Sequence, residues 1–209
     1  FPGDVLVATS FTAGIGTRLN LESGIILKLR PGAFLDIFGT LEIMGTGMNP
    51  VIMTSLFDDA IGGDTEKDGA ATTAMPGDWN RILFRTQCTA TIQHTTFRYG
   101  DGVGSAAVLD GGNANVTLRS VRVEHAEGNG IRALAYGGPL VNPVVNDCGG
   151  DGIQCLGGSW DVLHATVHGN VGAGIDAAAV WTGSVKNSIA WNNTLGNIRT
   201  RASPYKIEL

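Results

Sequence analysis

The stretch from Gly130 to Gly196 reads as three lines of nearly equal length: GIRALAYGGPLVNPVVNDCGGD (130–151), GIQCLGGSWDVLHATVHGNVGA (152–173) and GIDAAAVWTGSVKNSIAWNNTLG (174–196). Gly130-Ile131, Gly152-Ile153 and Gly174-Ile175 recur every 22 residues, and Asn197-Ile198 follows after 23. Val123, Val145, Val167 and Ile189 form a second ladder, again at spacings of 22. Self-similarity at a fixed period of about 20 to 50 residues marks a solenoid, whose units bury an apolar face only when stacked on one another. Both ladders are therefore expected to be buried columns.

Working outward, coil starts fall near Ile82, Ala107, Ile131, Ile153, Ile175 and Ile198. Each coil holds short β-branched runs broken by small residues, without a helical period or regular leucine spacing, which predicts a parallel β-helix. Upstream, Val5 to Ala8, Ile25 to Leu29, Phe34 to Ile37, Leu41 to Ile43 and Val51 to Met53 read as strands, punctuated by Pro31-Gly32, Gly39 and Asn49-Pro50. Trp79 to Phe84 resumes the pattern. The expectation is an all-β chain, a single domain over residues 1–209, interrupted by an acidic loop at 56–78.

Composition narrows the function classes. The 31 glycines accompany 43% apolar residues, so they punctuate a folded core rather than signal disorder. A net charge of −5, with 14 basic residues in no long run, argues against a nucleic-acid partner. No apolar run approaches the ~18 residues of a membrane span. The start at Phe1, without an initiator Met or signal-like segment, is expected of a mature or excised piece. Cys88, Cys148 and Cys155 lack paired spacing, so buried free thiols are expected, with a Cys148 to Cys155 bridge left open.

Several motifs occur in a telling order: Gly39-Thr40-Leu41, Gly45-Thr46 with Asn49-Pro50-Val51 and Thr54-Ser55, Pro76-Gly77-Asp78-Trp79, and His94 with Arg98-Tyr99-Gly100. From Gly24 to Thr200 the chain resembles the right-handed parallel β-helix proteins of bacterial surfaces and secretions, the pectate-lyase-like solenoid superfamily. The resemblance implies about seven or eight coils and an extracellular or cell-surface location. It does not choose among lyases, hydrolases, adhesins and stalks. Of the four elements of the related polygalacturonases, Asp58-Asp59 and His168-Gly169 match two in letters but lie far apart, and no Arg-x-Lys occurs. The run Asp110 to Asn115 departs from a calcium-binding nonapeptide repeat and occurs once.

Two constellations carry possible chemistry. Residues 56–78 hold six acids and one base, and a loop of that length in a compact domain needs a reason. Asp64-Thr65-Glu66-Lys67-Asp68-Gly69 repeats the first half of an EF-hand-type loop, with oxygens at alternate positions before a Gly. It departs from that pattern at Glu66 and at the twelfth position, Met75. Asp58, Asp59, Asp64, Glu66 and Asp68 are the expected calcium ligands, with Asp78 nearby; a solvated loop without an ion is the other reading.

The second constellation follows the Val ladder. One place after it stand Arg98, Glu124, Asn146 and His168; two places after it stand Tyr99, His125, Asp147, Gly169 and Trp191. Stacking would turn these into adjacent columns at the strand spacing. Arg98, Tyr99, His125, Asp147, His168 and Trp191 are expected to line a strip for a polysaccharide or cell-surface glycan, against the plain reading of solvated turns. Trp181 and Trp191 would be sugar platforms if exposed and core if buried. The leading expectation is a scaffold or binding module. One alternative is a calcium-assisted lyase, with His125 or Tyr99 as base and Arg98 or Arg122 as the charge-stabilising cation. Another is a structural protein associating end to end, because no helix is expected over residues 1–23 or after Ile198 to cover the strand edges.

Overall fold

The computed structural model describes residues 4–69, 71–101, 107–136, 138–178, 180–201 and 206–208. Parallel strands stack into a β-solenoid of about eight turns, and the described residues contain no helix. None of the described elements is therefore a helix long and apolar enough to cross a membrane.

Every turn visits three faces in the same order. The first face is built from Val5–Ala8, Ile26–Leu29, Val51–Ser55, the second halves of Thr89–Arg98 and Asn115–Glu124, then Val144–Asn146, Thr166–His168 and Ile189–Trp191. The second comprises Phe11–Ala13, Leu35–Ile37, Ile82–Phe84, Ala107–Asn113, Asn129–Tyr136, Ile153–Cys155, Ile175–Ala177 and Ile198–Thr200. The third takes Arg18–Glu22, Thr40–Met44, the first halves of the two long strands, Leu140–Val141, Val162–Leu163, Ser184–Lys186 and Lys206–Glu208.

Alternation within each short strand decides what faces inward. In Leu35-Asp36-Ile37 and Ile153-Gln154-Cys155 the flanking residues are buried and the middle one is partly exposed. Leu35, Ile82, Leu109, Ile131, Ile153 and Ile175 make one core column, and Leu27, Met53, Phe97, Val123, Val145 and Val167 another. Trp79, Trp160 and Trp181 are core, and the Trp181 indole N–H donates to the Trp160 carbonyl at 3.1 Å. The three cysteines are free, and burial pushes Cys148 and Cys155 up to about 12 and Cys88 to about 11, which keeps the thiols protonated.

Two rungs differ from the sequence reading. Ala107 pairs with Asn129, and it is Leu109 that aligns with Ile82 and Ile131. Val167 pairs with Ala190, so Ile189 is not the fourth rung; it is 65% exposed. The cause is one extra residue in the last coil. It enters between Ala177, which pairs with Cys155, and Trp181, which bridges to Gly158. In a strand of period two, a slip of one position turns an inward side chain outward.

Left-handed backbone marks the corners. His94, Ser120, Asn142, His164 and Asn187, with φ between 43° and 56°, stand between the third and first faces. Tyr99, His125, Asp147, Gly169 and Asn192, with φ between 53° and 70°, follow the first face. Asn, Asp, His and Gly tolerate this region best, which is why these residue types recur at the coil period.

Asp101 lies at the next position but one after that corner strand, fully buried, and neither carboxylate oxygen has a hydrogen bond of good geometry among the described residues. Burial pushes its pKa from 3.8 up to about 6; Arg81, the Asn129 amide and Arg132 pull it down only in part. The folded chain thus holds this proton more tightly than the unfolded chain. The group's contribution to stability is full below pH 3.8, declines as pH rises through 6, and stays lower above. Asp101→Asn is expected to remove that slope and to stabilise the fold at pH 8 by about 1 to 3 kcal/mol, with Asn suited to the φ of 68°. Urea melts at pH 4 and pH 8 check it, and an unchanged slope in the variant would count against it.

Candidate functional site

The acidic loop leaves the first face after Ser55 and folds back over its outer side. Gly62 sits against Val5 and Ile26, where an added Cβ would come within 3.0 Å of Val5, and the Lys28 ammonium donates to the Gly63 carbonyl. Ile26, Lys28, Ile52 and Thr54 point away from the core yet are buried by this cover. Asp78 ties down the returning end, accepting hydrogen bonds from the Ser55 hydroxyl at 2.6 Å and the Met75 amide at 2.9 Å.

Asp58 and Asp59 serve different partners. Asp58, 3% exposed, accepts from the Thr54 hydroxyl at 2.6 Å and from Arg98 Nη1 at 2.8 Å. Asp59 joins Asp64 and Glu66, whose carboxylate oxygens lie within 4.8 Å of one another. Oxygens held 2.3 to 2.6 Å from one calcium ion are about 5 Å apart at most, so the set has the size a hard divalent cation requires. Asp59 Oδ1, Glu66 Oε2 and Asp68 Oδ1 are shut off from solvent without a hydrogen-bond partner among the described residues. Desolvation, then the charges of Asp64 and Glu66, raise the Asp59 pKa, whereas the Gly69 amide leads in lowering that of Asp64. Asp68 stands beside this trio, with its Oδ2 accepting from Thr72 at 2.7 Å.

Beyond the loop the outer side of the first face lies open. Strand register puts Arg98, Glu124, Asn146, His168 and Trp191 in one column. Trp191 thus stands beside His168, and not two places past the ladder with Asp147, for the same one-residue reason as Ile189. The corner column carries Tyr99, His125 and Asp147 as the spacing implied. Tyr99 and His125 stack with ring centroids 5.5 Å apart, and His168 and Trp191 at 4.4 Å. Interplanar angles of 16° and 17° show that the rings are piled along the solenoid axis. Asn146 donates to Asp147 Oδ2 at 2.7 Å.

Matches to known family models, curated proteins and solved structures are absent. The chemistry of the strip therefore carries the functional reading. Arg98 is held by Asp58, by Glu124 at 2.9 Å from its Nε, and over the Tyr99 ring at 5.0 Å. Arg122 lies 3.6 Å from Glu124. Both guanidiniums thus face carboxylates already, whereas the carbanion chemistry of a lyase needs a cation free to meet developing charge. Hydroxyl donors and acceptors, by contrast, find Asp147, His125, His168 and the Trp191 ring within one continuous surface.

Sequence reading did not reach a further polar ladder, on the outer side of the second face. Arg132 makes a two-pronged contact with the buried Asp110 at 2.9 and 2.6 Å, Arg85 pairs with Asp36, and Arg199 and Arg201 both bind Asp176. The signal was present, since Arg132 follows Asp110 by 22 residues and Arg199 follows Asp176 by 23.

Proposed function

We propose that this chain is a secreted or cell-surface β-helix scaffold, of the pectate-lyase-like kind, which binds a glycan along the outer side of its first face. The observation that carries this reading is the change along that face: the acidic loop buries it in the first turns, and from Arg98 to Trp191 it is open and lined with stacked aromatic and polar side chains. Four strand intervals give the strip a length of about 19 Å, enough for a short oligosaccharide. Trp191, 44% exposed, supplies the largest apolar contact. Screening against a panel of neutral, acidic and amino polysaccharides should find a binder, and Trp191→Ala should weaken it about tenfold. Absence of binding across the panel would remove the reading.

Calcium is the proposed ion of the loop, held by Asp59, Asp64 and Glu66 with Asp68 at the rim. The support is the fit of the oxygens together with the three that are desolvated and unpaired, an arrangement that repels itself without a cation. Calcium at a hundredfold excess over its Kd would add about 2.7 kcal/mol to stability, so chelation should lower Tm by roughly 5 °C. Asp59→Asn should abolish that difference. Calorimetry without heat in millimolar calcium, and a Tm indifferent to chelator, would sink the proposal.

A further inference from the structure

Beside the strip, the corner after the first face carries a notch of about 330 Å³. It is lined by Pro76 at the end of the acidic loop and by Glu127, Asp147, Gly149, Gly169 and Val171. Its origin lies in the coil period. Gly149 falls between Glu127 and Val171 in the 22-residue register, and Gly169 follows Asp147 by 22, so two glycines stand where neighbouring coils carry side chains. Neither could be replaced freely: a Cβ at Gly149 would lie 2.1 Å from the Glu127 carbonyl, and one at Gly169 would lie 2.7 Å from Asp147 Oδ1, on a backbone with φ of 70°.

The lining has two carboxylates and no cation. Asp147 accepts the hydrogen bond from Asn146 on Oδ2, which leaves Oδ1 directed at the Gly169 gap. Neither Asp147 nor Glu127 is ion-paired among the described residues. Pro76 and the exposed Val171 give apolar walls. We infer that the notch is a subsite for a sugar unit with a free amine, a 2-amino-2-deoxyhexose, so that the glycan of the proposed function is an amino polysaccharide. An ammonium supplies three donors to carboxylates that have acceptor capacity left, and the C–H face of the ring covers Pro76 and Val171. A uronate in the same place would meet two like charges. The inference rests on the glycan reading, and a lysine side chain would present the same ammonium.

Equilibrium binding of glucosamine oligomers, N-acetylated oligomers of equal length, polygalacturonate and polylysine separates these cases. The expected result is that free-amine oligomers bind about tenfold more tightly than acetylated ones, and that the advantage disappears in Glu127→Gln and in Asp147→Asn, each confirmed as folded by circular dichroism. Equal binding of the two oligomers, or tighter binding of polygalacturonate, overturns the subsite while leaving the strip intact. Polylysine that competes as well as glucosamine oligomers overturns the assignment to a sugar. No binding by any saccharide overturns the glycan reading and this inference with it.

Discussion

Ile153→Asp is expected to abolish the folded solenoid. Ile153 is fully buried and is flanked in register by Ile131 and Ile175 on the adjacent turns, so a carboxylate there has no water and no counter-charge within the column. Burial of the isoleucine contributes roughly 1.5 to 3 kcal/mol, and the desolvated charge adds a larger penalty. Together these approach the 5 to 15 kcal/mol that holds a typical domain together. Each turn rests on its neighbours, so damage in the central turn separates the two halves. Ile189→Asp is the matched control. Its side chain points to solvent, and a change within about 0.5 kcal/mol is expected. Far-UV circular dichroism and limited proteolysis of the pair test the register. A cooperative melt of the Ile153 variant near the wild-type temperature would show the column to be wrongly placed.

Asp58→Ala is expected to destabilise the chain by about 3 to 5 kcal/mol. Its carboxylate is buried and joins Thr54 on the first face to Arg98, whose side chain is itself largely enclosed. Removal leaves the Thr54 hydroxyl unpaired and Arg98 with Glu124 as its carboxylate partner, and the desolvated guanidinium then carries an uncompensated part of its charge. Glu42→Ala makes the comparison, because the Arg18–Glu42 contact at 3.3 Å is well exposed and such pairs are worth about 1 kcal/mol or less. Urea denaturation of both variants reads the difference. Equal midpoints would mean that the Asp58 contact contributes no more than a surface pair. Loss of Asp58 should also loosen the adjoining Asp59, so calcium response, if present, should weaken in the same variant.

The β-helix itself was legible because its cause is periodic. Ile131, Ile153 and Ile175 had to share an environment once 22 residues made one turn, and the strands place them as the spacing implied. The Val ladder was legible for three rungs and failed at the fourth. An extra residue near Ala178 leaves no mark in composition, and Ile189 is as apolar as the residue it was taken for. Half of the strip's meaning was hidden for another reason. His125 and Asp147 were singled out for their chemistry, yet both sit at left-handed corners, where backbone preference alone favours such residues. Side-chain directions in the loop were not legible at all: adjacent Asp58 and Asp59 have the same letter and opposite surroundings.

The spacing of turns also sets how the chain reaches this state. Most strands meet a partner 22 to 27 residues away in a chain of 209, which corresponds to a relative contact order of about 0.1, nearer to helical bundles than to β-sandwiches. The main excursion is the acidic loop, which separates Leu35 from its partner Ile82 by 47 residues. Loop-closure entropy is therefore modest within residues 107–200 and greatest where the loop must return. A nucleus in the regular coils, growing one turn at a time toward both ends, is the route this topology favours, and the turns bridged by the acidic loop would be the last and slowest to join.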